Sequence, residues 1–236
     1  MHASGCAAFD YDFRRLVSLV EREPRTPDEL VRLLDAIYEM AKRKRQANAK
    51  RAEGEKHAEL LRVRLGSRLP VYLPQRITPE LVNMLRKYHP LYINTHFNHP
   101  EEITEQAEHA CTLLADAGIP LGCQTVLLKG VNDSLPVMRE LLYRLLDIRV
   151  RPYYLMQADL TEGTAHFRTD IQTGLDIMRG LIGTVSGMAV PTYILDAPEG
   201  KGKIPLTPDY ILSHRKDTLE FSNYQGIPCS YPFSCS

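Results

Sequence analysis

Between residues 63 and 195 the chain alternates short β-branched or aromatic runs with amphipathic helical stretches, and this alternation restricts the fold more than any other feature. The runs fall at 63–65, with 71–73 close behind, and then at 91–96, 121–128, 150–156 and 190–195. Between them lie 78–88 (TPELVNMLRKY), 100–118 (PEEITEQAEHACTLLADAG), 134–148 (SLPVMRELLYRLLDI) and 170–184 (DIQTGLDIMRGLIGT), each with apolar residues at helical spacing. Gly118 stands where a left-handed glycine closes a helix. Strands joined through a helix run parallel and cross over right-handedly, so the expected class is α/β with a parallel sheet.

Residues 1–62 have another texture, helical and charged. Leu30, Leu33, Leu34, Ile37 and Met40 form an i, i+3, i+4 stripe, with a helix also read at 12–23. Thr26 is the predicted N-cap, followed by Pro27 at the first helical position and Glu29 as a capping acid. Past Met40 the stripe fades into KRKRQANAKR, which reads as a solvated helix face rather than a nucleic-acid surface. The expected organisation is a helical segment at 1–62, the α/β unit at 63–224 and a tail at 225–236.

Charge adds little. Lys+Arg and Asp+Glu number 29 each, which gives no general attraction to nucleic acid, acidic membranes or anionic substrates. The start lacks an apolar run of leader length and no later run spans a bilayer, so a cytoplasmic protein is expected. Cys6, Cys111, Cys123, Cys229 and Cys235 are odd in number and widely spaced, which suits a reducing compartment. Cys229 and Cys235 alone supply too few ligands for a metal site.

Parallel α/β folds carry their chemistry at the carboxyl ends of the strands, and polar residues gather there. The run 94–100 is NTHFNHP, Gln124 lies in the third long strand, the fourth runs into QADLTEG, and the last ends in Asp196. His96 and His99 read equally as site groups or as core and helix-start histidines, and Asp159 as a site carboxylate or an N-cap. Lys203 sits in EGKGK, where glycine permits positive φ and close backbone approach. It reads as a phosphate-binding charge, as an amine forming a Schiff base, or as part of a solvated turn. The spacing is not that of a Walker A loop. Asp159 and Asp196, each closing a strand, suit either a receptor for a cationic group or an acid–base pair.

The runs 71–104, 119–133 (IPLGCQTVLLKGVND), 149–160 (RVRPYYLMQADL), 166–169 (HFRT) and 191–205 (PTYILDAPEGKGKIP) resemble the second half of the lysine 2,3-aminomutase family. These are radical S-adenosylmethionine enzymes that also use pyridoxal phosphate. The resemblance covers roughly 63–224 and implies a partial (β/α) barrel, the second half of a radical S-adenosylmethionine-type barrel. It implies that Lys203 binds pyridoxal phosphate covalently. It implies too that Asp159 and Asp196 hold the distal ammonium of a substrate lysine, and that His96 and Gln124 line the S-adenosylmethionine side. Relatives acting on glutamate are expected to lack the acidic pair, so the implied reaction is 1,2-amino migration on a basic amino acid, L-lysine to β-lysine.

Two departures shape the expectation. The C-x-x-x-C-x-x-C motif that holds the family's [4Fe–4S] cluster does not occur in the 236 residues, and 1–62 look unrelated to the family. The chain is therefore expected to be shortened or partnered, and inactive by itself. The alternative is a non-catalytic remnant, or a module that binds pyridoxal phosphate and an amino acid. Some family members hold an interface zinc through a cysteine where Ser134 stands, so zinc is not expected. Glu199 and Lys201 interrupt a loop that is commonly all glycine before the lysine. An open barrel edge calls for a homo-oligomer, a partner, or cover from the stripe at 30–40.

Overall fold

The computed structural model describes residues 26–53, 63–197 and 201–233. The helix read at 12–23, Cys6, Cys235 and Glu199 lie outside them. The first element is α1 (Pro27–Asn48), capped as expected: Thr26 Oγ1 accepts the Glu29 N–H at 3.2 Å. Its apolar face is anchored by fully buried Leu34. The Tyr88 hydroxyl donates to Asp35 Oδ1 at 2.7 Å, and the Tyr38 hydroxyl reaches the Tyr88 carbonyl. The helix thus docks on the turn leading into the second strand.

The sheet strands are β1 (Val63–Gly66), β2 (Leu91–Thr95), β3 (Leu121–Leu127), β4 (Val150–Gln157), β5 (Thr192–Ala197) and β6 (Gly202–Pro205). They lie side by side in chain order. The first five run parallel, and β6 folds back antiparallel on β5, pairing Asp196 with Lys203. The helices between them are α2 (Pro79–Leu85), α3 (Glu105–Asp116), α4 (Leu135–Asp147) and α5 (Ile171–Leu181). When strand order equals chain order, right-handed crossovers put every helix on one face, and the sheet curls into a half-barrel. Strand β3 shows the result: Leu121, Cys123, Thr125 and Leu127 are buried beneath the helices, while Gly122, Gln124 and Val126 alternate onto the open, concave face. Leu114, Met138, Leu141, Leu142, Leu145 and Leu155 fill the layer between sheet and helices.

One irregularity matters for the site. The pairing jumps from Cys123↔Pro152 to Gln124↔Tyr154, so Tyr153 is an extra residue in β4. Two consecutive tyrosines therefore face the same side, their rings 3.9 Å apart and their hydroxyls 3.0 Å apart.

The expected strand at 71–73 is instead a helical turn, Leu69–Tyr72, followed by a 3-10 turn, Pro74–Arg76. Pro70 and Pro74 explain it, since each removes a ladder donor and suits the first position of a helical turn. Gly118 does close α3 at φ +77°. Three further strands, β7 (Ile211–His214), β8 (Thr218–Ser222) and β9 (Pro228–Pro232), form a separate antiparallel sheet. The Tyr224 ring lies over Gly183, where a Cβ would come within 2.3 Å of it, and this contact seats the small sheet against the end of α5. Among the described residues no helix is long and apolar enough to cross a membrane.

Candidate functional site at the carboxyl edge of the sheet

Strand alternation and the strand ends place the candidate side chains. On β2, Leu91, Ile93 and Thr95 turn toward the helices, so Asn94 takes the concave face. Its side chain lies across Gly122 of β3, where a Cβ would stand 2.7 Å from Asn94 Oδ1. His96 continues beyond β2 and hydrogen-bonds the Gln124 side chain. These two residues are brought together as a pair. Burial lowers the His96 pKa below 6.5, the nearby Arg68 charge lowers it further, and the Gln124 bond opposes both.

This has a testable sign. A histidine held neutral in the folded state takes up a proton more readily when unfolded, so its contribution is complete above the unfolded pKa and is lost as the pH falls toward the folded one. Urea unfolding should show stability declining as the pH is lowered from 7 through about 6.5, and the decline should be shallower in His96→Gln. Equal slopes in the two proteins would sink this assignment.

His99 goes elsewhere. Its Nδ1 accepts the Glu101 N–H at 3.3 Å, and Glu102 Oε2 reaches back to the Asn98 and His99 N–H groups. It caps the 3-10 turn Pro100–Glu102, so it is a helix-start histidine. Glu102 Oε1 also takes Arg68 Nη2 at 3.3 Å, and the Arg68 guanidinium stacks 4.0 Å over Tyr72. Among the described residues, Arg68 Nε and Asn94 Nδ2 are buried and find no hydrogen-bond partner.

On the far side of the sheet, Asp196 Oδ2 accepts Lys203 Nζ at 2.5 Å. The register makes them direct cross-strand neighbours, so Lys203 is in a hairpin strand and not in a free turn. Asp159 is exposed just beyond β4, and no helix begins there for it to cap. No hydrogen bond or ion pair joins it to Asp196 among the described residues. Tyr154 stands between the two halves of the site, and its phenol pKa is raised by the Tyr153 hydroxyl, then by burial, with Asp196 adding to the rise and Arg64 opposing it.

Sequence reasoning passed over the frame that holds these groups. Asn132, fully buried, accepts Leu128 N–H at 2.7 Å and donates to the Asn98 and Val126 carbonyls at 2.8 Å each. Asn98 Oδ1 in turn accepts the Val126 N–H at 2.9 Å. Tyr193 donates to Gln157 Oε1 at 2.6 Å, and Gln157 donates to the Thr169 carbonyl at 2.8 Å. The doubled tyrosine after Pro152 was the one local signal, since it breaks strand alternation. Burial raises the Cys111 and Cys123 thiols to about 12 and about 11, which leaves them unreactive. Among the described residues no group of three His, Cys, Asp or Glu side chains is placed to hold a metal ion.

The parallel half-barrel brings an amine, two carboxylates and an imidazole to the carboxyl ends of its strands, where folds of this kind carry their sites. Comparison with known proteins narrows the class. A family sequence model described as Lysine-2,3-aminomutase matches residues 178–234. The chain is 47% identical over 217 residues to L-lysine 2,3-aminomutase of Fusobacterium nucleatum, covering 92% of this chain and 50% of that protein. It is 57% identical over 175 residues to L-lysine 2,3-aminomutase of Clostridium subterminale, covering 74% of this chain and 42% of that protein. It is also 55% identical over 164 residues to glutamate 2,3-aminomutase of Clostridioides difficile, covering 70% and 39% respectively. The chain belongs to the lysine 2,3-aminomutase family and corresponds to the C-terminal part of its longer members. It spans about half the length, or less, of these relatives. The F. nucleatum match is longer than residues 63–236 can supply, so it reaches into the N-terminal segment that the sequence reading set apart.

Proposed function

We propose that this chain carries the amino-acid-facing part of an aminomutase that moves an amino group between adjacent carbons of a basic amino acid, converting L-lysine to β-lysine. The observation that carries the reading is the Lys203 amine at the carboxyl rim, against Asp196 and open to the concave face. Identity alone does not choose between lysine and glutamate, because relatives of both names match at similar levels. The carboxylates favour the basic substrate. Asp196 and Asp159 would hold a distal ammonium, whereas they would repel the side-chain carboxylate of glutamate.

The residues present fit pyridoxal phosphate. Lys203 Nζ is accessible for a covalent bond to an aldehyde, while the orphaned donors Arg68 Nε and Asn94 Nδ2 lie on the His96 side of the sheet. Bound there, the cofactor would supply a conjugated ring able to delocalise charge or an unpaired electron next to the migrating nitrogen. In the same reading His96 and Gln124 line the S-adenosylmethionine side, Tyr153 and Tyr154 wall the cavity between the two, and the aspartates fix the substrate's far end. The iron–sulfur cluster is different: the 236 residues contain no C-x-x-x-C-x-x-C and the described side chains form no metal-holding group. These 236 residues alone are expected to form no β-lysine. The exposed edge of β1 would be paired by another segment or a second copy, and a cytoplasmic setting belongs to the same reading.

The test is to incubate the chain with pyridoxal phosphate, reduce with borohydride and map modified lysines by peptide mass spectrometry. Label is expected on Lys203 alone and absent from Lys203→Met. Scattered label, or none, would favour a remnant that keeps the sequence without the site.

A further inference from the structure

Strands β1 to β6 hold a single acidic residue, Asp196, and it stands at the carboxyl rim. Toward the amino ends the same sheet carries two arginines, Arg64 in β1 and Arg151 in β4. Alternation turns both onto the concave face. Val63 and Leu65 pack against the core on either side of Arg64, and Val150 and Pro152 are buried on either side of Arg151. Among the described residues neither guanidinium makes a hydrogen bond or an ion pair.

The register brings the two toward one place. Arg151 pairs with Gly122, and Gly122 pairs on its other side with Asn94. Arg64 pairs with Tyr92, which precedes Asn94 on the same face of β2. Gly122 leaves the floor low between Arg151 and Asn94, and the Asn94 side chain lies over it. Strands β1 and β4 are three apart, and the interior of a small barrel is only wide enough for side chains to meet across it. Arg64 accordingly lies near enough to β4 to oppose the rise in the Tyr154 pKa. The exposed rings of Tyr92 and Tyr153 stand on the same face.

Asn94 gives a second, independent sign. It is 7% exposed, and its Nδ2 has no hydrogen-bond partner. A donor buried in that state is costly, and an acceptor brought by a ligand recovers the loss. Two fixed positive charges in a concave surface without a facing carboxylate focus a positive potential, and guanidinium forks match the oxygens of phosphate and carboxylate groups. We propose that the concave floor below the Lys203 rim is an oxyanion site, in which the phosphate or carboxylate of a small molecule lies between Arg64 and Arg151 and accepts a hydrogen bond from Asn94 Nδ2. The site stands whether or not Lys203 carries a cofactor.

The experiment titrates the isotope-labelled chain with inorganic phosphate and, separately, with acetate at constant ionic strength, following the arginine Nε–H and asparagine side-chain amide signals by NMR. The Arg64, Arg151 and Asn94 signals are expected to shift and saturate, and the anion that saturates at the lower concentration assigns the site to phosphate esters or to carboxylic acids. Arg64→Gln and Arg151→Gln should each raise the midpoint about tenfold. Arg64→Lys and Arg151→Lys should raise it less, because the charge stays while the fork is lost. Arg179→Gln, which removes an exposed charge from α5, should leave it unchanged. Shifts that grow without saturating overturn the site, as do midpoints that Arg64→Gln and Arg151→Gln do not raise or that Arg179→Gln raises equally. Borohydride labelling of Lys203 should persist in every variant, so failure of the oxyanion site and failure of the cofactor lysine are read separately.

Discussion

Replacing Asn132 with leucine should cost the fold about 3–5 kcal/mol, a large share of the stability of a domain this size. The side chain has no exposure and meets three backbone groups at once: the Leu128 N–H and the carbonyls of Asn98 and Val126. Leucine has similar volume, so the loss is polar rather than steric. Three backbone groups would be left without partners in a place where water has little access, each at about 1–3 kcal/mol. Asn132→Asp should be at least as damaging, because it keeps the acceptor for Leu128 and turns an oxygen toward two carbonyls. Chemical denaturation would show both effects as a lower midpoint, and a loss below about 1 kcal/mol for Asn132→Leu would mean that the three bonds are replaced by other partners. The consequence for the site is direct, since Asn98 follows His96 by two residues and Val126 follows Gln124 by two. Asn132 ties the ends of β2 and β3 at the height where that pair forms.

The second large effect should appear in substrate choice. In the cofactor-loaded chain, changing Asp159 and Asp196 together to asparagine should weaken L-lysine binding about a hundredfold and leave L-glutamate binding equal or stronger. On the proposed reading each carboxylate would make a charge-assisted contact of about 1.5–3 kcal/mol, and two at the lower value make about 3 kcal/mol, or about two powers of ten. Calorimetry with both amino acids would measure it. Unchanged lysine affinity would remove the aspartates from substrate recognition and reopen the choice between the two substrate types.

Much of this fold was legible because helices and strands repeat at different periods. The four helices between the strands and the five parallel strands stand out where buried residues recur, as in the alternation from Leu121 to Leu127. Strands β7 to β9 did not, because their residues are uniformly half-exposed or exposed and leave no period to read. The turn at Leu69–Tyr72 misled because Val71 and Tyr72 favour strands by composition, and the flanking prolines prevailed. Of the candidate site residues, Asp196 lies near the end of β5 and His96 follows β2, whereas Gln124 lies within β3 and Lys203 within β6. The Lys203–Asp196 contact depended on a hairpin register that no local pattern encodes, and Asn132 was hidden because a buried asparagine looks, in sequence, like any turn residue.

The extra tyrosine in β4 works as a phase correction between the two halves of that strand. Pro152 and Leu155 both point to the helices although an odd number of steps separates them, and only the surplus residue reconciles those facts. Losing a residue elsewhere in β4 would turn Leu155 or Pro152 out of the core and invert everything on one side of the lesion. Losing Tyr153 would restore plain alternation with every other side chain still facing its own way. The strand therefore contains a single position at which its length is adjustable, and that position lies in the wall of the proposed cavity, where a change of one residue would alter the cavity's width while leaving the barrel's packing in register.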